Sequence, residues 1–175
     1  AGKRCSGVRG RRPNTFFLQD PMAKTIHRGD YRAPTHLVDS IRLEFDLDAE
    51  ETVVRSTLEV RANPASKQPD APLFLNGEDI ALRAVRVNGR ALESSEYRVD
   101  ARGLTIPGLP AEARIEITNA FSPKANTELS GIYASGANLM SQCEAQGFRR
   151  ITFFLDRPDV LSRYTTVIRG RTDAY

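Results

Sequence analysis

Ile41-Arg-Leu-Glu-Phe-Asp-Leu47 alternates apolar and charged side chains without interruption. Because successive side chains of a strand point to opposite faces, this alternation predicts a strand with one apolar face and one charged face. The polar segment 48–51 follows, and a second alternating run comes after it: Val54, Ser56, Leu58, Val60 and Ala62, of which Ser56 is the polar member. Two alternating runs joined by a short polar turn predict a β-hairpin.

Shorter runs with strand character continue on the C-terminal side of this hairpin. Turn signals separate them, and Asn76-Gly77 and Asn88-Gly89 are the clearest, because these residue types tolerate positive φ. Strands are predicted over residues 73–75, 82–87, 97–99, 104–106, 113–121, 132–134, 139–145, 148–155 and 165–168. One helical turn is predicted over 156–164 with Asp156 as its cap. With no longer amphipathic helix in the pattern, the sequence predicts an all-β fold, as a sandwich or a strongly twisted sheet.

The net charge of +3 is unevenly distributed along the chain. Residues 1–21 hold five basic side chains against one acidic side chain, so this segment carries +4 and the remainder carries −1. We expect residues 1–21 to be a disordered basic tail, introduced by cloning or by an upstream choice of start codon, and residues 22–175 to form the domain. A nearly neutral domain lacks the basic surface that nucleic-acid-binding proteins present.

The same sequence argues against a membrane protein. No run approaches the ~18 apolar residues that a membrane-spanning helix needs, and no apolar segment follows the basic start as in a secretory signal. Cys5 and Cys143 lie far apart in the chain, which argues against a structural disulfide. We therefore expect a cytoplasmic protein that binds neither membrane nor nucleic acid.

The residues of a catalytic metal site are missing from the sequence. Zinc sites use three or four closely spaced His, Cys or carboxylate ligands. The chain has two histidines, His27 and His36, and neither begins a His-Glu-x-x-His motif. Cys143 would be a candidate nucleophile only with a histidine base beside it. We therefore predict that this chain contains no catalytic residue and binds no metal.

The most informative polar pattern lies in Ser141–Arg150, which reads Ser-Gln-Cys-Glu-Ala-Gln-Gly-Phe-Arg-Arg. As a strand, this segment places Gln142, Glu144 and Gln146 on one face. Such a face has two interpretations: a solvated strand surface, or a polar cradle for a cation. A carboxylate beside an amide oxygen offers several acceptors to an ammonium group, which has three donors.

At these residues the chain resembles the N-terminal domain of the bacterial aminopeptidase N family, the zinc alanyl aminopeptidases among the gluzincin metallopeptidases. The resemblance covers nearly everything after Met22. It is carried by several segments in the same order as in the family: His27–Pro34, Leu75–Asp79, Ser122–Thr127, Gly131–Tyr133, Gln142–Arg149 and Ile151–Val160.

The resemblance implies a broad, saddle-like β-domain that packs on a thermolysin-like catalytic domain, and a truncation at the C-terminal end of this chain. It also implies that the parent enzyme removes the first residue of peptides and that Gln142 and Glu144 bind the α-amino group of the substrate. Zinc and the general base would belong to the full-length enzyme. The expected partners are therefore peptide substrates and the missing catalytic domain, and this chain alone should be inactive.

Gln146 departs from the family pattern, in which an acidic residue often stands at this position. A neutral side chain lowers the negative charge near the amine pocket but leaves Gln142 and Glu144 in place. A non-catalytic β-sandwich binding or scaffold module is the alternative function, because it would explain the missing zinc ligands without truncation.

Overall fold

The alternating run at 41–47 forms the second half of a long strand, β1 (His36–Leu47). A computed structural model of the protein describes residues 27–68 and 70–171. In it β1 pairs in antiparallel register with β2 (Thr52–Ala62), so that Ile41 lies opposite Leu58 and Phe45 opposite Val54. The predicted hairpin is therefore confirmed. The expectation for residues 1–21 lies outside the described residues.

Nine further strands follow in the described part of the chain. They are β3 (Leu73–Asn76), β4 (Ala81–Val87), β5 (Arg90–Ala91), β6 (Arg98–Asp100), β7 (Gly103–Ile106), β8 (Glu112–Phe121), β9 (Gly131–Ser135), β10 (Asn138–Gln142) and β11 (Arg163–Gly170). Two short 3-10 turns, Arg28–Asp30 and Phe148–Arg150, are the helical elements among the described residues. The all-β prediction is confirmed.

Three sheets organise these strands. Six strands form the largest sheet, in the order β11-β1-β2-β8-β4-β5, and its pairs are antiparallel except for the parallel pair of β11 with β1. The second sheet has the order β3-β7-β6, and β9 and β10 form a separate hairpin. Residues 27–31 fall in one compact unit, and the three sheets fall in another, which begins at Arg32.

One hydrophobic core joins the two larger sheets. The six-stranded sheet contributes Ile41, Leu58 and Ile115, and the three-stranded sheet contributes Leu75 and Leu104, all almost fully buried. The segment that follows the 3-10 turn adds buried aromatic rings at Phe153 and Phe154. Because that segment is part of the core, its position relative to the sheets is well defined.

Two local predictions near the C-terminus are wrong. Residues 148–155 do not form a strand: they form the 3-10 turn and then a buried irregular segment, joined to β3 by one bridge between Asn76 and Phe154. Their apolar run reflects burial on all sides rather than pairing in a sheet. The helical turn over 156–164 is also absent, because the Asp156 carboxylate accepts from Arg149 and is not available to cap a helix.

Apolar side chains are exposed on and beside the edge strand β11. Leu161, Tyr164 and Ile168 are 88%, 51% and 65% exposed, and we call this surface the β11 face. The Tyr164 ring contacts Phe148, with 5.8 Å between ring centroids, and Phe148 in turn stands edge-on to Phe154 at 5.2 Å. The β11 face is therefore continuous with the aromatic part of the core. No helix among the described residues has the length and apolar character needed to cross a membrane.

Candidate functional site

The hairpin of β9 and β10 brings Gln142 to the edge of the site. Gln142 is the last residue of β10 and lies opposite Gly131. Gly131 has a φ of +79°, and a Cβ there would lie 2.8 Å from the Cβ of Arg150. Only glycine combines this backbone conformation with so close an approach. The hairpin can therefore lie directly against the 3-10 turn.

After Gln142 the chain leaves the extended conformation and closes a tight turn, residues 143–147, which we call the anchor turn. The amide of Gly147 donates to the carbonyl of Cys143 at 2.7 Å, and Gln142 Nε2 donates to the carbonyl of Glu144 at 3.1 Å. The peptide bond between Glu144 and Ala145 is cis. The predicted strand over 139–145 therefore ends early, and the expectation that Gln142, Glu144 and Gln146 share a strand face is wrong.

Glu144 nevertheless lies where a cation could bind. The anchor turn forms one wall of an open recess of about 260 Å³, which is lined by Glu78, Glu128, Ser130, Glu144, Ala145, Gln146, Gly147, Arg149 and Arg150. Gln142 is not among these lining residues; it touches the site through its bond to the Glu144 carbonyl. Among the described residues, the Glu144 carboxylate has no hydrogen-bond or ion-pair partner. Its acceptor oxygens are therefore available to a ligand.

The two arginines of the recess are neutralised by other carboxylates. Arg149 Nε lies 2.9 Å from Asp156 Oδ2, and its Nη1 lies 3.4 Å from Glu78 Oε1. Arg150 Nη1 lies 2.5 Å from Asp79 Oδ2, and its Nη2 lies 3.6 Å from Glu78. Because these cations already have partners, they do not compete with a ligand for Glu144.

Glu128 is a lining residue that the sequence did not single out. Its carboxylate also lacks an ion-pair partner among the described residues, so it adds to the negative potential beside Glu144. Nothing local in the sequence marks Glu128, because it sits in the polar loop between β8 and β9 with no periodic pattern. The pairs Arg149–Glu78 and Arg150–Asp79 were missed for a different reason: the two residues of each pair are 71 positions apart in the chain.

A buried polar cluster holds the segment beneath the anchor turn. Asn119 Nδ2 donates to the carbonyl of Ile151 at 2.9 Å, and Thr152 Oγ1 donates to Asn119 Oδ1 at 3.0 Å. Thr152 Oγ1 also lies 3.2 Å from Ser56 Oγ. All three side chains of this cluster are at most 1% exposed. The segment is therefore fixed to the core face of the large sheet.

Cys143 is poorly suited to nucleophilic chemistry. Burial raises the pKa of its thiol above the ordinary value, and the nearby Asp156 carboxylate raises it further. The thiolate, which is the reactive form, is thereby disfavoured at neutral pH. His36, a conceivable base, lies at the start of β1, is buried and does not line the recess. The structure thus brings no nucleophile and base together here.

A metal ion would not find its ligands in the described part of the chain. No group of three or more His, Cys, Asp or Glu side chains is placed there to hold one. The carboxylates of the recess are either paired with arginine or dispersed along its walls. The recess does offer carboxylate and amide oxygens, which are hydrogen-bond acceptors.

Known proteins share the sequence and the fold of this chain. Residues 31–174 match the peptidase M1 N-terminal domain. Aminopeptidase N of Escherichia coli strain K12 is 47% identical over 152 residues, which are 87% of this chain and 17% of that protein. The structure of Legionella pneumophila aminopeptidase A in complex with aspartic acid superposes with a TM-score of 0.79 at 28% identity, and covers 84% of this chain and 17% of the other.

A more distant structure shares the fold. An M1 zinc metallopeptidase from Deinococcus radiodurans superposes with a TM-score of 0.62 at 18% identity, covering 78% of this chain and 33% of that one. The chain thus spans about a sixth of the length of these aminopeptidases from Escherichia coli and Legionella pneumophila.

Proposed function

This chain belongs to the family of peptidase M1 N-terminal domains, and from that premise we propose that it is the substrate-anchoring domain of a zinc aminopeptidase. In this proposal Glu144 and Gln142 hold the free α-amino group of a peptide. The observation that carries it is the Glu144 carboxylate, which lines an open recess and has no partner among the described residues.

The acceptor groups of Glu144 and Gln142 have the chemistry that a protonated amine needs. Because Gln142 Nε2 is used by the Glu144 carbonyl, the other end of the Gln142 amide, Oε1, is left as an acceptor. An ammonium group has three donors, so it can bond to the carboxylate of Glu144 and the amide oxygen of Gln142 together. A hydrogen bond between two ionised groups is about twice as strong as a neutral one, so Glu144 supplies most of the affinity.

Anchoring the amine would give the enzyme its preference for free N-termini. A peptide held by its ammonium group presents the first peptide bond at a fixed distance from Glu144, which favours cleavage there. An acetylated N-terminus carries no charge and would leave the carboxylate without a partner. Removal of one residue at a time then follows from the position of Glu144 together with that of the group that cleaves the peptide bond.

The hydrolytic chemistry belongs, in this proposal, to a separate catalytic domain that carries the zinc ion. We propose that this domain docks on the β11 face, whose exposed apolar side chains Leu161, Tyr164 and Ile168 are typical of a surface covered by a partner. In this proposal the chain is inactive without that domain, because the zinc ligands and the general base belong to it. Cys143 carries a free thiol, and this supports the cytoplasmic, reducing location in the same proposal.

The test is the substitution Glu144→Gln in the complete enzyme. It keeps the shape of the side chain and removes the charge, so it isolates the electrostatic part of amine binding. Loss of one partner of a desolvated charge pair costs about 2–5 kcal/mol, which corresponds to a fall in kcat/KM of roughly 30-fold to several-thousand-fold for an aminoacyl arylamide. Gln142→Ala should cost less, because a neutral hydrogen bond contributes about 0.5–1.5 kcal/mol.

Glu59→Gln is the matched control for this measurement. Glu59 is an exposed carboxylate on β2, outside the recess, and its ion pair with Arg114 is long at 3.9 Å. The control should retain the kcat/KM of the wild type. If Glu144→Gln also stays within about threefold of the wild type, the anchoring role is refuted and a non-catalytic binding module becomes the better description.

A further inference from the structure

Besides Thr52 at the start of β2, two polar side chains lie on the core face of β2 and β8 where the alternating pattern places apolar ones. On β2 the core-facing positions are Thr52, Val54, Ser56, Leu58 and Val60, and on β8 they are Ala113, Ile115, Ile117, Asn119 and Phe121. Asn119 lies opposite Val54, and Ser56 lies opposite Ile117, so the two polar residues are diagonal neighbours. Burying them needs a hydrogen-bonding partner, because an unpaired buried polar group is costly.

Thr152 is that partner, and its bonds leave no ambiguity about the arrangement. Asn119 Oδ1 can only accept, so the Thr152 hydroxyl donates its single proton to it at 3.0 Å. The contact with Ser56 at 3.2 Å is then completed by the Ser56 hydroxyl donating to Thr152. Asn119 Nδ2 donates to the Ile151 carbonyl. Both the nitrogen and the oxygen of the Asn119 amide are therefore hydrogen-bonded, to the consecutive residues Ile151 and Thr152.

An uninterrupted series of hydrogen bonds leads from this cluster to the anchor turn. The amides of Ile151 and Thr152 both donate to the carbonyl of Phe148, at 2.9 and 3.3 Å. The amide of Arg150 donates to the carbonyl of Gly147 at 3.1 Å, and the amide of Gly147 donates to that of Cys143 at 2.7 Å. The next residue after Cys143 is Glu144, so the hydrogen bonds connect the cluster to the residue that precedes Glu144.

We propose that Asn119 and Thr152 are positioning residues, which set the height and direction of Glu144 above the large sheet. The inference rests on the proposed function, in which Glu144 holds the substrate amine. Apolar contacts are non-directional, so apolar residues at positions 56, 119 and 152 would bury this segment without fixing where it lies. A fully satisfied polar cluster has one arrangement, and departure from it leaves buried donors or acceptors without partners.

The experiment compares Thr152→Val with Thr152→Ser in this chain. Valine keeps the shape of threonine but strands Asn119 Oδ1, whereas serine keeps the hydroxyl and loses only a methyl group. The control is Val85→Ala, a core substitution on β4 at a side chain that is 2% exposed and takes no part in the cluster. Ser56→Ala, which removes one bond and fills no new space, serves as a milder variant if Thr152→Val does not fold.

The first readout is amide hydrogen exchange, which NMR detects residue by residue. This measurement needs no ligand. In Thr152→Val the exchange of the Gly147, Arg150 and Ile151 amides should accelerate about tenfold more than that of amides in β2 and β8, since one or two hydrogen bonds of this series are lost. Thr152→Ser should restore slow exchange. In Val85→Ala any acceleration should be spread over the sheet. Equal acceleration everywhere in Thr152→Val would overturn the proposal.

The second readout is the binding of alaninamide, with N-acetylalaninamide as the uncharged comparison. Displacing Glu144 should raise the Kd of Thr152→Val for alaninamide by about threefold or more, while Thr152→Ser and Val85→Ala stay near the wild type. An unchanged Kd in Thr152→Val would refute the positioning role. If the wild type binds both amides equally, amine anchoring itself fails, and the exchange experiment alone then decides whether the cluster fixes the anchor turn.

Discussion

The Arg149 guanidinium donates to the Asp156 carboxylate across 2.9 Å, and each of the two side chains is only 13% exposed. The same carboxylate accepts from the Arg149 amide at 3.2 Å, and the Asp156 carbonyl accepts from Arg149 Nη2 at 3.1 Å. This pair therefore joins Arg149, which follows Phe148, to the segment that leads into β11. The two residues flank the buried segment 151–155 on its N-terminal and C-terminal sides.

Arg149→Ala should destabilise the fold strongly. Removing one partner of a nearly buried pair strands the other charge, which typically costs about 3–5 kcal/mol. We expect the lower end of this range, because Asp156 keeps some exposure, and urea denaturation monitored by circular dichroism measures it. Arg98→Ala is the control: Arg98 lies 3.4 Å from Asp100 with 76% of its side chain exposed, so its loss should cost about 0–1 kcal/mol. Equal losses of stability in the two variants would show that the Arg149–Asp156 pair contributes no more than a surface ion pair.

Gly147→Ala should distort the anchor turn by steric contact alone. The backbone of Gly147 has ordinary helical dihedrals, a φ of −83° and a ψ of −12°, so alanine is not excluded by conformation. A Cβ would, however, lie 2.5 Å from the Gln142 carbonyl oxygen and 2.7 Å from Ser130 Oγ. We expect a loss of about 1–3 kcal/mol, as for other overpacked sites, and displaced amide signals at Ser130 and Gln142 in the NMR spectrum.

Gly136→Ala separates this effect from backbone strain. Gly136 lies in the turn between β9 and β10 with a φ of +61°, but a Cβ there would have no atom within 4 Å. Its substitution should cost about 1 kcal/mol through conformation and leave the signals of Ser130 and Gln142 in place. Gly147→Ala with an unmoved Ser130 signal would contradict the close approach.

His36 should make the fold less stable as the pH falls below neutrality. Burial lowers the pKa of His36 below its ordinary value of 6.5, so the folded state resists the proton that the unfolded state accepts. The contribution of neutral His36 to the free energy of unfolding is therefore fully present above about pH 6.5, and it is lost as the pH falls through the lowered pKa. Urea midpoints at pH 7.5, 6 and 5 should decline in the wild type and decline less in His36→Gln.

The ion-paired carboxylates act in a lower pH range, so they do not obscure this test. The hydrogen bond from Arg90 lowers the pKa of Glu96 from 4.5 to about 2, and bonds from Arg169 and Arg42 lower the pKa of Glu44. Both groups stay charged between pH 5 and 7 and lose their contribution only in stronger acid. Parallel pH profiles for the wild type and His36→Gln would rule out His36 as the source of the decline.

The β11 face should make this chain self-associate. Burial of a leucine or isoleucine side chain stabilises by about 1.5–3 kcal/mol, and Leu161 and Ile168 are largely exposed. Replacing both with lysine should weaken self-association at least about tenfold, measured by sedimentation equilibrium. Val99→Lys, at an exposed apolar residue on β6, is the control and should leave association unchanged. A wild-type chain that stays monomeric at high concentration would contradict the prediction.

The sequence contained enough information to predict the β1–β2 hairpin, but not the buried segment 151–155 that packs on the large sheet. The alternation at 41–47 and 54–62 defines a hairpin locally, because both the period and the turn are visible in the sequence. Ser56 interrupts that alternation, and its reason could not be predicted, since its partner Thr152 is 96 residues away. The apolar run at 151–155 looked like a strand because burial on all sides and pairing in a sheet select the same residue types.

The sequence did not predict the local geometry around Gln142 and Glu144. Gln142 and Glu144 were named from the family resemblance, whereas their assumed alternation along one strand was wrong. Gly147 is the reason: it allows the chain to turn back so closely that its amide reaches the Cys143 carbonyl. The role of Glu144 as a ligand for the substrate amine stays a prediction, and Glu128 carries no signal in the sequence that would have identified it.

The parallel pairing of β11 with β1 joins two strands that the ribosome synthesises at well-separated times. Glu44 of β1 and its ion-pair partner Arg169 of β11 are 125 positions apart in the chain. At a translation rate of about 5–20 residues per second, the ribosome needs roughly 6–25 s to synthesise the intervening chain. During that interval β2 can pair with one edge of β1 while the other edge has no strand beside it. A nascent chain of this protein therefore exposes an open strand edge for seconds, and that edge is where a chaperone would be expected to bind first.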